Sequence, residues 1–213
     1  LPAGAGALVG TGLGAYFLRE NARVGDHLTF ETVPTYVPIS RRPEQQVPLM
    51  TDPNSAVVRQ RLLDMLAELV RTYAVDGVVF DDRLRYAAIN ADFSEDSRRQ
   101  FEAYAGQSVR WPDDVFRYEV EFPSLERHVV PGPLYEAWLL WRAQTIRNWL
   151  AAAVTTVKSI RPTATVGVYA GSWYGEYAIL GSNWAADDFQ AGFRFLTPEY
   201  QQTGFGGLLD WMT

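Results

Sequence analysis

One eight-residue run, Val75-Asp76-Gly77-Val78-Val79-Phe80-Asp81-Asp82, limits the fold of this chain more than any other stretch. Its centre is apolar and β-branched without alternation, the pattern of a strand buried on both faces. It follows directly on a helical segment from Asp52 to Tyr73. There Val58, Leu62, Leu66, Leu69, Val70 and Tyr73 recur on one face at three- and four-residue steps. Asp52-Pro53 reads as the N-cap and first turn of that helix. A helix that leads into a buried strand is half of a parallel α/β layout.

The layout repeats downstream. Ser94 to Tyr104 reads as a short helix with Ser94 as its cap and Gly106 just past its end. Residues 111–133 are broken by Pro, lack a sustained period and read as an irregular excursion. A long helix follows, with Trp138, Trp141, Thr145, Trp149, Leu150, Val154 and Val157 on its apolar face and Pro162 as its stop. Thr165 to Ala170 is the next strand, and an aromatic-rich loop runs from Gly171 to Phe195. Thr197-Pro198-Glu199 opens a short helix that Gly204 ends, and Leu208 to Thr213 begins another strand. Strands 75–82, 165–170 and 208–213 each come after a helix able to serve as a right-handed crossover, so they are expected as parallel neighbours in one sheet. Both a singly wound barrel and a doubly wound sheet fit this order.

In α/β barrels the carboxyl ends of the strands open into the active site. Asp81 and Asp82 end an otherwise apolar strand and are the first catalytic candidates. Alternation puts Gly77, Val79 and Asp81 on one face, with Phe80 and Asp82 on the other. Bulky Phe80 suits the helix-facing side, which makes Asp81 the better inward-pointing acid. Arg83 or Arg85 is placed to hold a neighbouring carboxylate ionised, and Arg83 and Tyr86 are candidate substrate contacts. The competing reading is that the two acids cap the next turn or pair with those arginines. A second constellation, Tyr169 to Tyr177 and on to Trp184, also follows a buried strand. It offers a carboxyl in Glu176, an amide in Asn183, and flat faces in Trp173, Tyr174, Tyr177 and Trp184. Sugar sites combine such groups, although a surface loop tucked down by its aromatics uses them as well.

Several stretches together carry a family resemblance: Pro48-Leu49-Met50-Thr51-Asp52-Pro53-Asn54 through to Asp81-Asp82, Arg99-Gln100-Phe101-Glu102-Ala103-Tyr104 and Trp141-Arg142. The series continues with Gly171-Ser172-Trp173-Tyr174, Gly181-Ser182-Asn183-Trp184, Thr197-Pro198-Glu199-Tyr200 and Leu209-Asp210-Trp211-Met212-Thr213. It resembles the glycoside hydrolases related to the alpha-amylase barrels, the family 10-like glycosyl hydrolases. The resemblance covers roughly residues 48 to 213. It implies a (β/α)8 TIM-type barrel, a polysaccharide or glycoconjugate substrate, export to the cell envelope or beyond, and catalysis at the Asp81/Asp82 strand end. Glu176 is a choice made from the residues nearby rather than from the family. A full barrel takes ~250 residues, and about four strands are legible here. The 213 residues are therefore expected to be a single domain holding the central part of a barrel, with 1–47 poorly matched and 48–213 carrying the core units. Leu1 is not an initiator Met, and the remainder of a longer chain is expected to supply the missing strands.

Other classes of function are disfavoured. A net charge of −6 with scattered Lys and Arg argues against a nucleic-acid groove. No Cys is present, which removes thiolate nucleophiles and Cys-ligated metals. His27 and His128 are far apart without ligand spacing, so neither a metal nor a His-based triad is expected. Gly10-Thr11-Gly12-Leu13-Gly14-Ala15 matches a dinucleotide-type pattern, but no clear helix follows, so a Gly-rich strand or turn is the expectation and no cofactor is assigned. Asp187-Asp188 reads as a solvated loop or a cap. Ala3 to Leu18 falls short of the ~20 apolar residues of a membrane span and lacks the basic start of a signal peptide. Two functional readings result. One is a two-carboxylate glycoside hydrolase. The other is a non-catalytic glycan-binding or structural barrel in an envelope assembly.

Overall fold

A computed structural model of the chain describes residues 8–11, 14–17, 51–121, 126–171, 174–186, 189, 192–193 and 196–213. The chain divides into two compact units, one of residues 1–49 with 118–129, the other of residues 50–117 with 130–213. In the first unit β1 (Leu8–Thr11) and β2 (Gly14–Phe17) pair antiparallel, with Gly10 opposite Ala15 and Thr11 opposite Gly14. The described residues of the glycine motif, Gly10, Thr11, Gly14 and Ala15, thus lie in paired strands.

The second unit is built on helix α1 (Ala56–Thr72), which starts later than the sequence suggests. Asp52 Oδ1 accepts the Asn54 amide at 2.8 Å and so closes a turn. Ser55 then caps the helix by accepting the Val58 amide. The buried stripe of α1 is Leu63, Leu66, Ala67 and Val70, which pack on the inner cluster. The expected stripe is only partly right, because Leu62, Leu69 and Tyr73 lie exposed on an adjoining face. Two apolar stripes compete on this helix, and tertiary packing selects one.

Strand β3 (Gly77–Phe80), β6 (Thr165–Val168) and β7 (Trp211–Met212) form one sheet in the order β3-β6-β7, with both pairs parallel. The three expected strands are thus neighbours as read from the sequence, and the fold is mixed α/β with a parallel sheet. The described strands do not close into a barrel. Between β3 and β6 come α2 (Glu95–Ala105), β4 (Phe116–Val120), β5 (Arg127–Pro131) and α3 (Tyr135–Ile160). Helix α2 has Ser94 as its N-cap and Gly106 at φ 69° as its C-cap, both as expected. Residues 111–133 are not irregular: β4 and β5 pair as a two-stranded sheet, flanked by Glu121 N to Glu126 O and Gly132 N to Val115 O. The Pro residues that hid this pair flank or end its strands, where no ladder donor is needed.

The sheet packs its Val78, Phe80, Val166 and Val168 side against α1 and α3 through Val70, Leu150, Ala153 and Val157. Phe80 meets Trp149 edge to face at 5.3 Å. The opposite side carries Val79 and Tyr169, both about half exposed, and Trp211, whose ring covers Gly167 so closely that a Cβ there would lie 2.5 Å from it. At the amino ends of the strands, Arg161 donates to the carbonyls of Val70, Tyr73 and Val75. Nearby, Asp210 accepts both Lys158 Nζ at 2.7 Å and the Val166 amide at 2.8 Å. These bonds hold the Asp210 carboxyl below the usual range. Among the described residues no helix is long and apolar enough to cross a membrane.

Candidate functional site

The strand ends are where the chemistry-bearing side chains gather. Phe80 O accepts the Tyr169 amide, and Thr213 O accepts the Ala170 amide, so the carboxyl ends of β3, β6 and β7 lie level. Asp81 is exposed just past the end of β3, and its Oδ1 accepts the Arg83 amide at 3.0 Å. Asp82 is half-buried and accepts the Tyr177 hydroxyl through Oδ2 at 2.8 Å. Tyr177 comes from α4 (Tyr174–Ala178), a one-turn helix inside the segment expected as loop. That bond, ahead of burial, raises the Tyr177 phenol, because the carboxylate is better served by a proton than by a phenolate.

The aromatic residues around α4 are arranged in a chain. Tyr177 and Tyr174 both meet Trp184 edge to face, at 4.8 and 5.6 Å. Arg85 lies over the Tyr177 ring at 5.1 Å and donates to the carbonyls of Asp82, Tyr86 and Ala87. It thus braces the loop backbone; the acid it was expected to hold is not among these partners. Glu176 is exposed on α4, beside the residue that holds Asp82. Trp173 lies outside the described residues, as do Asp187-Asp188 and His27. Arg83 is exposed.

Tyr86 and Asn183 lie in the core and support the site from beneath. Asn183 accepts the Tyr174 hydroxyl at 2.8 Å and donates to Tyr200 O and Thr203 Oγ1. Tyr86 donates to Asn54 Oδ1 at 3.0 Å, and burial raises its phenol. The Tyr86 ring also stacks with the Arg142 guanidinium at 3.9 Å, and Trp138 covers that cation at 4.3 Å. Arg142 is fully buried and donates to Ala88 O and Ile89 O, which fastens the loop after β3. Burial pulls its guanidinium down to about 10. Asn54 Nδ2 reaches Asp92 Oδ2, and Ser97 Oγ donates to the same oxygen at 2.5 Å. Asp92 adopts φ 61°, a conformation Asp tolerates better than most residues. Asp52 beside this network is pushed up to about 6, first by burial and then by the charges of Asp92 and Asp96.

Sequence reasoning missed two features. One is an open cleft whose walls include Tyr174, Phe189, Phe193, Leu196, Pro198 and Gln201. Its signal was the spacing of Phe189 and Phe193 within the aromatic loop. The other is an exposed group, Glu121, Glu126 and His128, whose ligand-capable atoms all lie within 4.8 Å of one another. Cross-strand pairing brings these residues together, and linear spacing does not reveal it. His128 Nε2 is 3.2 Å from Glu121 Oε2.

Comparison with known proteins gives a consistent answer. A relative from Niallia circulans, an "S-layer-related protein", is 30% identical over an alignment of 176 residues that covers 76% of this chain. The match spans 10% of that relative's length. The model of the family described as glycosyl hydrolase-like 10 matches residues 39–194, which include β3, both candidate aspartates and α4. The chain belongs to the glycosyl hydrolase-like 10 family.

Proposed function

We propose that the protein hydrolyses glycosidic bonds in a polysaccharide or glycoconjugate of the cell envelope, with Asp81 and Glu176 as its working carboxyl pair. The observation that carries this reading is the tie between Asp82 and Tyr177, which fastens the acidic end of β3 to the helix bearing Glu176. Glu176 protonates the glycosidic oxygen as the bond breaks. Asp81 either attacks the anomeric carbon or takes a proton from the attacking water. Separations of ~5–5.5 Å and ~6.5–9.5 Å between such carboxyls correspond to retention and inversion. Asp82 is a positioning residue in this scheme. Arg83, Tyr177 and Trp184 border the substrate, with Tyr86 and Asn183 beneath. A parallel sheet with helices on one side and an open, partly apolar face on the other is consistent with part of the wall of a (β/α)8 TIM-type barrel.

The test uses three variants of the full-length protein. Asp81→Asn should lower glycan cleavage by at least ~10²-fold with little change in melting temperature. Asp82→Asn should cost less. Glu176→Gln should suffer most on substrates with poor leaving groups. Undiminished cleavage in both aspartate variants would end the two-carboxylate mechanism. The name of the S-layer-related relative favours one further reading, a glycan-holding or structural part of an envelope assembly. That reading predicts glycan retention without release of reducing ends.

A further inference from the structure

We propose that α1 is the contact through which two copies of this chain associate, antiparallel, about a twofold axis that passes between Leu62 and Met65. The helix turns Leu63, Leu66 and Val70 into the core. That leaves a second apolar row at Val58, Leu62, Met65 and Leu69, in steps of four, three and four. Leu62 is 37% exposed, Leu69 41% and Met65 50%. Single exposed apolar side chains are ordinary on a protein surface. A row at heptad spacing is the seam along which two helices pack.

The charges beside the row select the occupant and its direction. With Leu62 and Leu69 at the a positions and Met65 at d, Arg61 and Glu68 both fall at g, and both are exposed. Seven residues, about 10 Å along the axis, keep these two apart within one helix. No ion pair among the described residues involves either of them. On α2, by contrast, Arg98 and Arg99 each pair with an acid three residues earlier.

The e position on the far side of the seam is Leu66, which is buried. A parallel helix sets its g positions against e and would meet no charge there. An antiparallel copy sets g against g, so Arg61 of each chain meets Glu68 of the other. The same reversal brings Leu62 against Met65 of the second copy, and Val58 against its Leu69. A segment carrying one sign of charge would answer only one of the two g residues, whereas a second copy answers both, and does so twice by symmetry. One pair of short helices makes a small contact, so monomer and dimer should exchange readily, with dissociation in the micromolar range.

Sedimentation velocity of the full-length protein, from below to well above the micromolar range, measures the association. A reversible monomer–dimer equilibrium is expected. Leu69→Lys should weaken it by more than about tenfold, because a charge enters the seam. Glu68→Arg sets arginine against arginine and should weaken it about tenfold. Arg61→Glu combined with Glu68→Arg exchanges the two signs and should restore the parent affinity. All these positions are exposed, so the melting temperature of the monomer should stay within a few degrees of the parent. A protein that stays monomeric at every concentration overturns the proposal, and so does a dimer that Leu69→Lys leaves intact. A dimer weakened by Glu68→Arg but not rescued by the exchange would overturn the antiparallel pairing of Arg61 with Glu68.

Discussion

The phenol of Tyr177 reaches Asp82 because Gly171 leaves room for its ring: a Cβ at 171 would lie 2.3 Å from Tyr177 Cζ. One missing methyl thus sets the position of a hydroxyl, and that hydroxyl sets a carboxylate. If Asp82 positions the loop through this bond, Tyr177→Phe should lower turnover by about tenfold, the effect of losing one hydrogen bond to a charged group. Gly171→Ala should reproduce the fall by displacing the ring. Measurement of kcat/KM for both variants beside Asp82→Asn checks this. A further fall when Tyr177→Phe is combined with Asp82→Asn would mean that Tyr177 acts on something other than Asp82.

The starts of α1 and α2 are joined by the network of Asp52, Asn54, Asp92, Ser94 and Ser97, and the elements show best what sequence can and cannot reveal. Asp52 lies between burial and two acidic neighbours, so its proton is retained to about pH 6. Its folded pKa is raised above the unfolded value. Its contribution to stability is therefore complete below pH 4 and is lost as pH rises through 6. Asp52→Asn keeps the acceptor for the Asn54 amide and removes the charge. It should raise the melting temperature at pH 8, with the gain shrinking toward zero at pH 4.5. An equal gain at both values would exclude titration as its cause. The caps of α2 were legible because Ser94 and Gly106 act within four residues of the groups they satisfy. The start of α1 was not, since whether Asp52 caps a helix or closes a turn depends on which amide reaches it first. The exposed and buried stripes of α1 are chemically alike, and only packing against α3 tells them apart.

Across the whole second unit, the three-strand parallel sheet could be read from the sequence because each strand is a short apolar run after a helix. Asp81 and Asp82 were legible for the same reason, as acids ending such a run. Arg142 was not legible as a core residue, because a cation on a helix reads as solvated until Tyr86 and Trp138 are known to enclose it. Its removal leaves the carbonyls of Ala88 and Ile89 without these donors, so Arg142→Met should cost about 1–3 kcal/mol. It should also speed amide exchange in the loop after β3, which a change confined to α3 would not do. Arg161 and the Lys158–Asp210 pair carry a different lesson. Both fasten the molecule at the amino ends of its strands, while the acids, the phenol and the aromatic cleft gather around the carboxyl ends. The frame and the candidate site thus lie on opposite rims of this unit. A lineage built on this frame can rewrite one rim, and with it whatever that rim meets, while the opposite rim keeps the unit folded.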